Sequence, residues 1–186
     1  MIRNVEIKDI NDLVEIYKYY VENTAISFEY DEIDWTEFKN RIDMITKTHP
    51  FLVYEKNGCV IGYAYASPLK GRKAFEHSVE TSIYIHRDYR KSGIGKQLYD
   101  ALEIALKLCN VTHLYACIAY HEIEDYTLNH SSIVFHEKLG YKKVGYFHKC
   151  GYKFDRWYDI VWMEKIIDSL DEKKSVISYS NILINK

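Results

Sequence analysis

Residues Val79-Glu80-Thr81-Ser82-Ile83-Tyr84-Ile85-His86 lead into Arg90-Lys91-Ser92-Gly93-Ile94-Gly95-Lys96, and this run of buried strand, basic glycine turn and helix start constrains the fold most. Gly93 and Gly95 leave no Cβ in the path of a close-approaching ligand, and the helix that follows offers unpaired N–H groups and a positive dipole end to an anion. Arg90, Lys91 and Lys96 add positive charge around the same turn. The pattern reads as a phosphate cradle. It is neither of the two best-known phosphate loops: no glycine follows three residues after Gly95, and the G-K-[ST] ending of a Walker loop is missing.

A chain of 186 residues suits one domain with a sizeable core. The formal charge of −2 and a pI near 6.4 create no global basic field, which disfavours nucleic acid and leaves the local positive charge for a small polyanion. Cys59, Cys109, Cys117 and Cys150 form no C-x-x-C pair and the eight histidines include no H-E-x-x-H, so no metal site is expected. Reduced thiols in a cytoplasm are the simplest reading. The start, Met1-Ile2-Arg3-Asn4-Val5-Glu6-Ile7-Lys8, lacks a signal-peptide core, and no run approaches the roughly 18 apolar residues of a membrane span. A soluble cytoplasmic protein without a membrane partner is therefore expected. The eighteen tyrosines read as compositional bias filling half-buried positions, not as an aromatic ligand cage.

Ile2 to Ile7 reads as a first strand, and Asp9 as the cap of a helix with Leu13, Ile16, Tyr17 and Tyr20 on one face. Asp34 and Glu37 resemble a capping box opening a second helix, with Phe38, Ile42 and Ile45 as its stripe and Pro50 beyond its end. Two β-rich runs, 51–56 and 59–66, flank Asn57-Gly58, the strongest short hairpin signal. A strand over 79–85, a helix over 95–108, a strand over 113–119, a helix over 131–139 closed by Gly140, and strands near 143–148 and 157–163 complete the order. That order, β-α-α-β-β-β-α-β-α-β-β, describes a mixed α/β layer fold over residues 1–166. The tail, 167–186, begins strongly charged and turns apolar at Val176-Ile177 and Ile182-Leu183-Ile184. It reads as frayed or as an added element, with a partner subunit as one surface it could pack against.

Arg90-x-x-Gly93-x-Gly95 after a strand, within this element order, resembles the coenzyme A pyrophosphate loop of the GNAT acetyltransferase superfamily. Three further segments resemble its phosphinothricin and methionine-sulfoximine acetyltransferase branch: Asn23-Thr24 with Phe28 and Tyr30; Arg72 through Val79-Glu80; and Gly151-Tyr152-Lys153 with Trp157 and Asp159. The resemblance implies an acetyl-CoA-dependent N-acetyltransferase acting on a small amino-acid-like amine, and a homodimer. By the same resemblance Glu80 is the general base, usually through water. Ile83, Tyr84 and Ile85 present backbone to the acetyl group and pantetheine arm, and the loop Arg90, Lys91, Ser92, Gly93, Ile94, Gly95 and Lys96 holds the diphosphate. Asn129 and Ser132 belong to the coenzyme site, and Phe28, Tyr30, Arg72 and His77 to the acceptor pocket. Trp157 and Asp159 read equally well as core packing and a strand-end hydrogen bond.

Two departures qualify the likeness. His136 stands where many GNAT members place a tyrosine acting as general acid; the phosphinothricin branch shares the histidine, so His136 or a nearby tyrosine is the candidate acid. Residues 119–128 form a polar stretch several residues longer than the branch usually carries, beside coenzyme and acceptor. The rival readings are a protein or peptide N-acetyltransferase, which needs an open groove, and a catalytically silent coenzyme A-binding module, which can dispense with Glu80.

Overall fold

The computed structural model describes residues 1–169 and 171–184; Leu170 and residues 185–186 of the tail, and the side chains of Leu183 and Ile184, lie outside the described residues. Its elements run β1 (Ile2–Asn4), α1 (Ile10–Asn23), α2 (Trp35–Thr46), β2 (Phe51–Lys56), β3 (Cys59–Pro68), β4 (Ser78–Ile85), α3 (Ile94–Leu108), β5 (His113–Tyr120), α4 (Ser131–Lys138), β6 (Lys142–Lys153), β7 (Arg156–Ile166) and α5 (Tyr179–Ile184). The seven strands form one sheet in the order β1-β2-β3-β4-β5-β7-β6. The pairing of β4 with β5 is parallel and every other pairing is antiparallel.

Alternation along the strands sends side chains to two cores. Phe51 and Val53 of β2 join α1 and α2 in one, and Leu52 joins α3 and α4 in the other. Leu98, Leu102 and Leu106 of α3 are fully buried against Ala64, Val79 and Leu114; truncating one to Ala should cost about 2–5 kcal/mol. The hairpin between β2 and β3 turns at Asn57 (φ 53°) and Gly58 (φ 81°), as a type I′ turn requires. Asp34 caps α2 by accepting from the Glu37 amide at 2.8 Å.

Asp9 does not cap α1. It is drawn instead into a bidentate pair with Arg3, Nη1–Oδ2 and Nη2–Oδ1 both 2.7 Å, because a buried carboxylate gains more from a guanidinium fork than from one amide. Consequently β1 stops at Asn4 and a single 3₁₀ turn spans Ile7–Asp9. The last two strands are longer than their apolar runs suggest, since the hairpin of β6 and β7 carries irregularities at Lys143/Gly145 and Phe147/Gly151 that break its alternation.

The tail packs on its own chain. The Ile177 amide donates to Cys109 O (3.0 Å), Asn110 Nδ2 donates to Ser175 O (2.7 Å), and the Tyr179 hydroxyl reaches Asn4 Oδ1 (3.1 Å). Tyr179 and Ile182 rest against the α3 side of the core.

Candidate active site

The parallel ladder between β4 and β5 lasts three residue pairs, Ser78–His113 to Glu80–Tyr115, and then the strands part while β5 stays paired with β7 as far as Tyr120. Thr81 Oγ1 donates to Tyr115 O (3.1 Å) across the last closed step. The bonds His86 N→Ile61 O and Leu69 N→Ser78 O show that even-numbered residues of β4 exchange backbone bonds with β3, so Thr81, Ile83 and Ile85 face the gap. Ile85 spends both its groups on the Tyr20 hydroxyl: its amide donates at 3.3 Å and its carbonyl accepts at 2.6 Å. Ile83 has no strand partner on that side. Tyr84 belongs to the β3 ladder, and its ring packs on Tyr17 and Tyr20 at 4.9 and 5.1 Å.

At the far end of the gap the chain turns through two left-handed residues, Lys91 (φ 60°) and Gly93 (φ 84°), before α3. No side chain caps that helix, so its first-turn amides are left without side-chain acceptors, an arrangement suited to a diphosphate. The two glycines differ. A Cβ at Gly93 would meet nothing within 4 Å, so its role is the positive φ, whereas at Gly95 it would come within 3.2 Å of the Phe135 ring, so its role is packing of α3 on α4. Arg90 donates to the Tyr19 hydroxyl (3.2 Å) and lies over that ring, Ser92 donates to Tyr89 O, and Lys96 pairs with Asp100 at 2.6 Å. Ile94 is buried beneath the turn. At the start of α4, exposed Asn129 accepts from the Ser131 amide (3.0 Å), and the Ser132 carbonyl accepts from His136.

Glu80 sits where the strands begin to part, half-buried, facing the α1/α2 layer between Ser67 of β3 and Tyr115 of β5. Its carboxylate makes no hydrogen bond or ion pair with the described residues. Burial pushes its pKa upward, and the charge of Lys70 offsets part of that rise.

His136 is not alongside Glu80. It lies on the opposite face of the sheet, 3% exposed, ringed by Tyr99, Phe135 and Tyr141. Its Nδ1 is 2.7 Å from the Ser132 carbonyl, which can only accept, so Nδ1 carries the hydrogen and Nε2 takes one from the Tyr99 hydroxyl at 3.2 Å. Burial lowers its pKa to about 4. A neutral ring with both nitrogens engaged has no proton to give.

Of the expected acceptor residues, Phe28 and Tyr30 are brought together on the hairpin of β6 and β7. The Phe28 ring packs on Tyr158 (5.9 Å) and occupies the space a Cβ at Gly151 would need, and Tyr30 donates to Tyr152 O. Arg72 and His77 lie apart from them in the connection from β3 to β4. Arg72 is exposed and makes no side-chain hydrogen bond or ion pair with the described residues, and His77 bonds Asn110 O through Nδ1 (2.9 Å) while its buried Nε2, 3.7 Å from Glu76 Oε1, makes no hydrogen bond with them. Asp159 ties the hairpin by accepting from Tyr146 and from the Lys149 amide (2.6 Å), and Trp157 is exposed.

Lys153 is a structural residue whose part the sequence does not disclose. Buried, it donates all three hydrogens to Val21 O (2.6 Å), Thr24 O (3.0 Å) and Ser27 O (2.7 Å), closing the C-terminal end of α1 and shaping the loop that carries Phe28. The longer 119–128 stretch braces the same loop: the Ala25 amide donates to Thr127 O (3.1 Å), and Asp125 binds Arg156 and the Leu128 amide. A lysine after Gly-Tyr was the available signal, but nothing in the sequence says which carbonyls it serves.

The chain matches the acetyltransferase (GNAT) domain family over residues 2–162. It is 27% identical to phosphinothricin N-acetyltransferase of Streptomyces viridochromogenes over 88% of this chain and 86% of that one. Against the L-methionine sulfoximine/L-methionine sulfone acetyltransferase of Salmonella typhimurium it is 28% identical over 90% and 94%. Its fold superposes on a phosphinothricin acetyltransferase from Sinorhizobium meliloti, solved in complex with AcCoA, with a TM-score of 0.85, 30% identity and coverage of 95% and 92%. The split strands and the uncapped amide turn fit the extended, diphosphate-bearing donor those enzymes use, and the chain belongs to the GNAT acetyltransferase family, as an N-acetyltransferase whose acetyl donor is acetyl-CoA.

Proposed function

We propose that the protein acetylates the free amine of a small amino-acid-like acceptor of the phosphinothricin, methionine sulfoximine or methionine sulfone type, with Glu80 as general base. One observation carries this: an unpaired, half-buried carboxylate with a raised pKa stands at the mouth of the β4/β5 gap. Relatives named for those acceptors support the choice of class.

An amine attacks a thioester only as the free base. An α-amine of pKa about 7.7–8.0 is roughly a tenth free at pH 7, while a lysine-like amine near about 10.4 is free only about once in a few thousand. Glu80, unpaired and desolvated, takes the proton, directly or through water. The Ile83 amide, without a strand partner, is the donor available to the carbonyl oxygen, in preference to the Tyr84 amide in the β3 ladder and the Ile85 amide on Tyr20. Amides of the 91–96 turn hold the diphosphate, with Arg90 at its edge, and Asn129 and Ser132 flank the donor from α4. Acetyl-CoA supplies the activated acetyl group; the departing thiolate draws its proton from solvent, His136 serving to hold Tyr99 in place.

Phe28, Tyr30, Arg72 and His77 frame the acceptor entrance. The proposed protein is cytoplasmic and dimeric. Edge strand β6 is open on one side and, with its hairpin partner, exposes Phe147, Tyr152 and Trp157, a surface that suits a second copy. Among the described residues no helix is long and apolar enough to cross a membrane.

A thiol-release assay with acetyl-CoA against amino acids, methionine sulfone, methionine sulfoximine, phosphinothricin, polyamines and short peptides tests this reading. Turnover with free amino-acid analogues is expected; activity confined to peptides would overturn it.

A further inference from the structure

The α1/α2 side of the sheet is hollow next to Glu80. A cavity of about 240 Å³ opens between α2 and strands β2 and β3, and Ser67, the cross-strand partner of Glu80, stands on its lip. Its floor is a stack of rings: Phe51–Tyr63, Phe51–Tyr65 and Tyr63–Tyr65 lie 5.6, 5.0 and 6.4 Å apart, each pair within 15° of parallel. Arg41 is the one charged residue in the lining.

Two carboxylates hold that guanidinium by a single nitrogen. Nη2 lies 2.9 Å from Glu29 Oε1 and 2.7 Å from Glu37 Oε1, while Nε and Nη1 make no hydrogen bond with the described residues. Glu29 Oε2 is buried and has no donor partner. The rim thus offers unspent cationic donors above an apolar floor, while the unsatisfied Glu29 oxygen lies buried outside the lining. That combination is complementary to a molecule bearing an oxyanion and an apolar segment.

We propose that this cavity receives the acceptor and that Arg41 clamps its oxyanion, a carboxylate or a phosphinate, while the apolar segment lies on the rings of Phe51, Tyr63 and Tyr65. The proposal rests on the N-acetyltransferase reading with Glu80 as base. Arg72 is the less suitable clamp, because an exposed, unpartnered arginine must be ordered on binding, whereas Arg41 is already held by its two carboxylates.

Matched acceptors test it: leucine against leucinamide, and phosphinothricin against its α-amide, each with wild type, Arg41→Gln and Arg41→Lys. Comparing the ratio within a pair across enzyme forms cancels the intrinsic reactivity of the two amines. In Arg41→Gln the KM for leucine should rise about 10- to 100-fold, the worth of a hydrogen bond to a charged group, with leucinamide and acetyl-CoA within about twofold of wild type. Arg41→Lys should fall between. Arg41 dependence kept by phosphinothricin amide assigns the clamp to the phosphinate, and dependence lost there assigns it to the carboxylate; both support the proposal. KM values for leucine and phosphinothricin that are both unchanged in Arg41→Gln, or an equal rise for leucine and leucinamide, would overturn it. Calorimetry separates the two levels of argument: leucine binding that depends on Arg41 without turnover refutes the transfer chemistry alone, and turnover with binding indifferent to Arg41 refutes the clamp alone.

Discussion

Strand β4 presents two faces, and the protein treats ionisable groups on them in opposite ways. Towards α1 and α2, Glu80 is half-buried and unpaired beside a cavity. Towards α3 and α4, Thr81, Tyr99, Tyr141 and His136 form a sealed cluster: the one Tyr99 hydroxyl hydrogen goes to His136 Nε2 at 3.2 Å, and Thr81 Oγ1 accepts from the Tyr141 hydroxyl at 3.3 Å. Burial disfavours the charged form on both faces, raising the carboxyl pKa and lowering that of the imidazole. What separates the faces is spare bonding capacity. A group can exchange protons with a substrate only where its lone pairs or hydrogens are not already committed.

The largest effect expected from this contrast is on turnover. Glu80→Gln keeps the shape of the site and removes its base, so kcat should fall by about 10²- to 10⁴-fold with acetyl-CoA affinity unchanged. In wild type, activity should be lost as pH falls through the raised carboxyl pKa, an acid limb lying above the ordinary carboxylate range. Stopped-flow thiol release from pH 4.5 to 9 reads both. An undiminished kcat in the variant would remove Glu80 from the mechanism.

Next comes Gly93→Val. The space around a Cβ there is open, but φ is 84°, which a β-branched residue adopts only at a cost of about 1–3 kcal/mol, so the turn should rearrange and its amides lose their convergence. Calorimetry should show acetyl-CoA binding weakened at least about tenfold. Retained affinity would mean that the diphosphate is held elsewhere.

The sealed face is tested through stability. The pKa of His136 is about 4 in the folded protein against an ordinary value of 6.5, so between those pH values the unfolded chain binds more protons. Stability is therefore undiminished above pH 6.5, is lost as pH falls, and is reduced by about 3 kcal/mol once pH 4 is reached. His136→Gln should flatten that slope in urea denaturation while leaving the alkaline side of the rate profile in place. Disappearance of an alkaline limb in the variant would instead make His136 the proton donor.

How legible this contrast was in the sequence depends on the range of the interaction. Strand periodicity, the Asn57-Gly58 turn and the Gly140 stop are local signals, and each element they imply is present. The placement of Glu80 on a strand, and of residues 91–96 on a turn entering a helix, was legible because strand, turn and helix are contiguous. The sealing of His136 was not, since it depends on Tyr99 and Tyr141 arriving from α3 and β6 sides of the core. Asp9 illustrates the same limit: a cap position was visible, the competing guanidinium of Arg3 across a turn was not. Arg41 was hidden differently. It falls between Phe38 and Ile42 on a helix legible only by its apolar stripe, and the cavity it lines is made by β2 and β3.

The smallest effect should come from Gly95→Ala, and it separates the two glycines that look alike in sequence. The added methyl points to Phe135 at 3.2 Å and towards Ile83 Cδ1 at 3.5 Å, on the α3/α4 side. The gain in helix propensity, up to about 1 kcal/mol, opposes a contact that the Phe135 ring must relieve by a few tenths of an ångström. Net stability should change by no more than about 1 kcal/mol, and acetyl-CoA affinity should remain within about threefold because the Gly95 amide stays in place. Thermal denaturation and calorimetry on Gly95→Ala beside Gly93→Val make the comparison direct. Equal losses of affinity in both would show that the turn needs two open positions and not one left-handed residue followed by one packing contact.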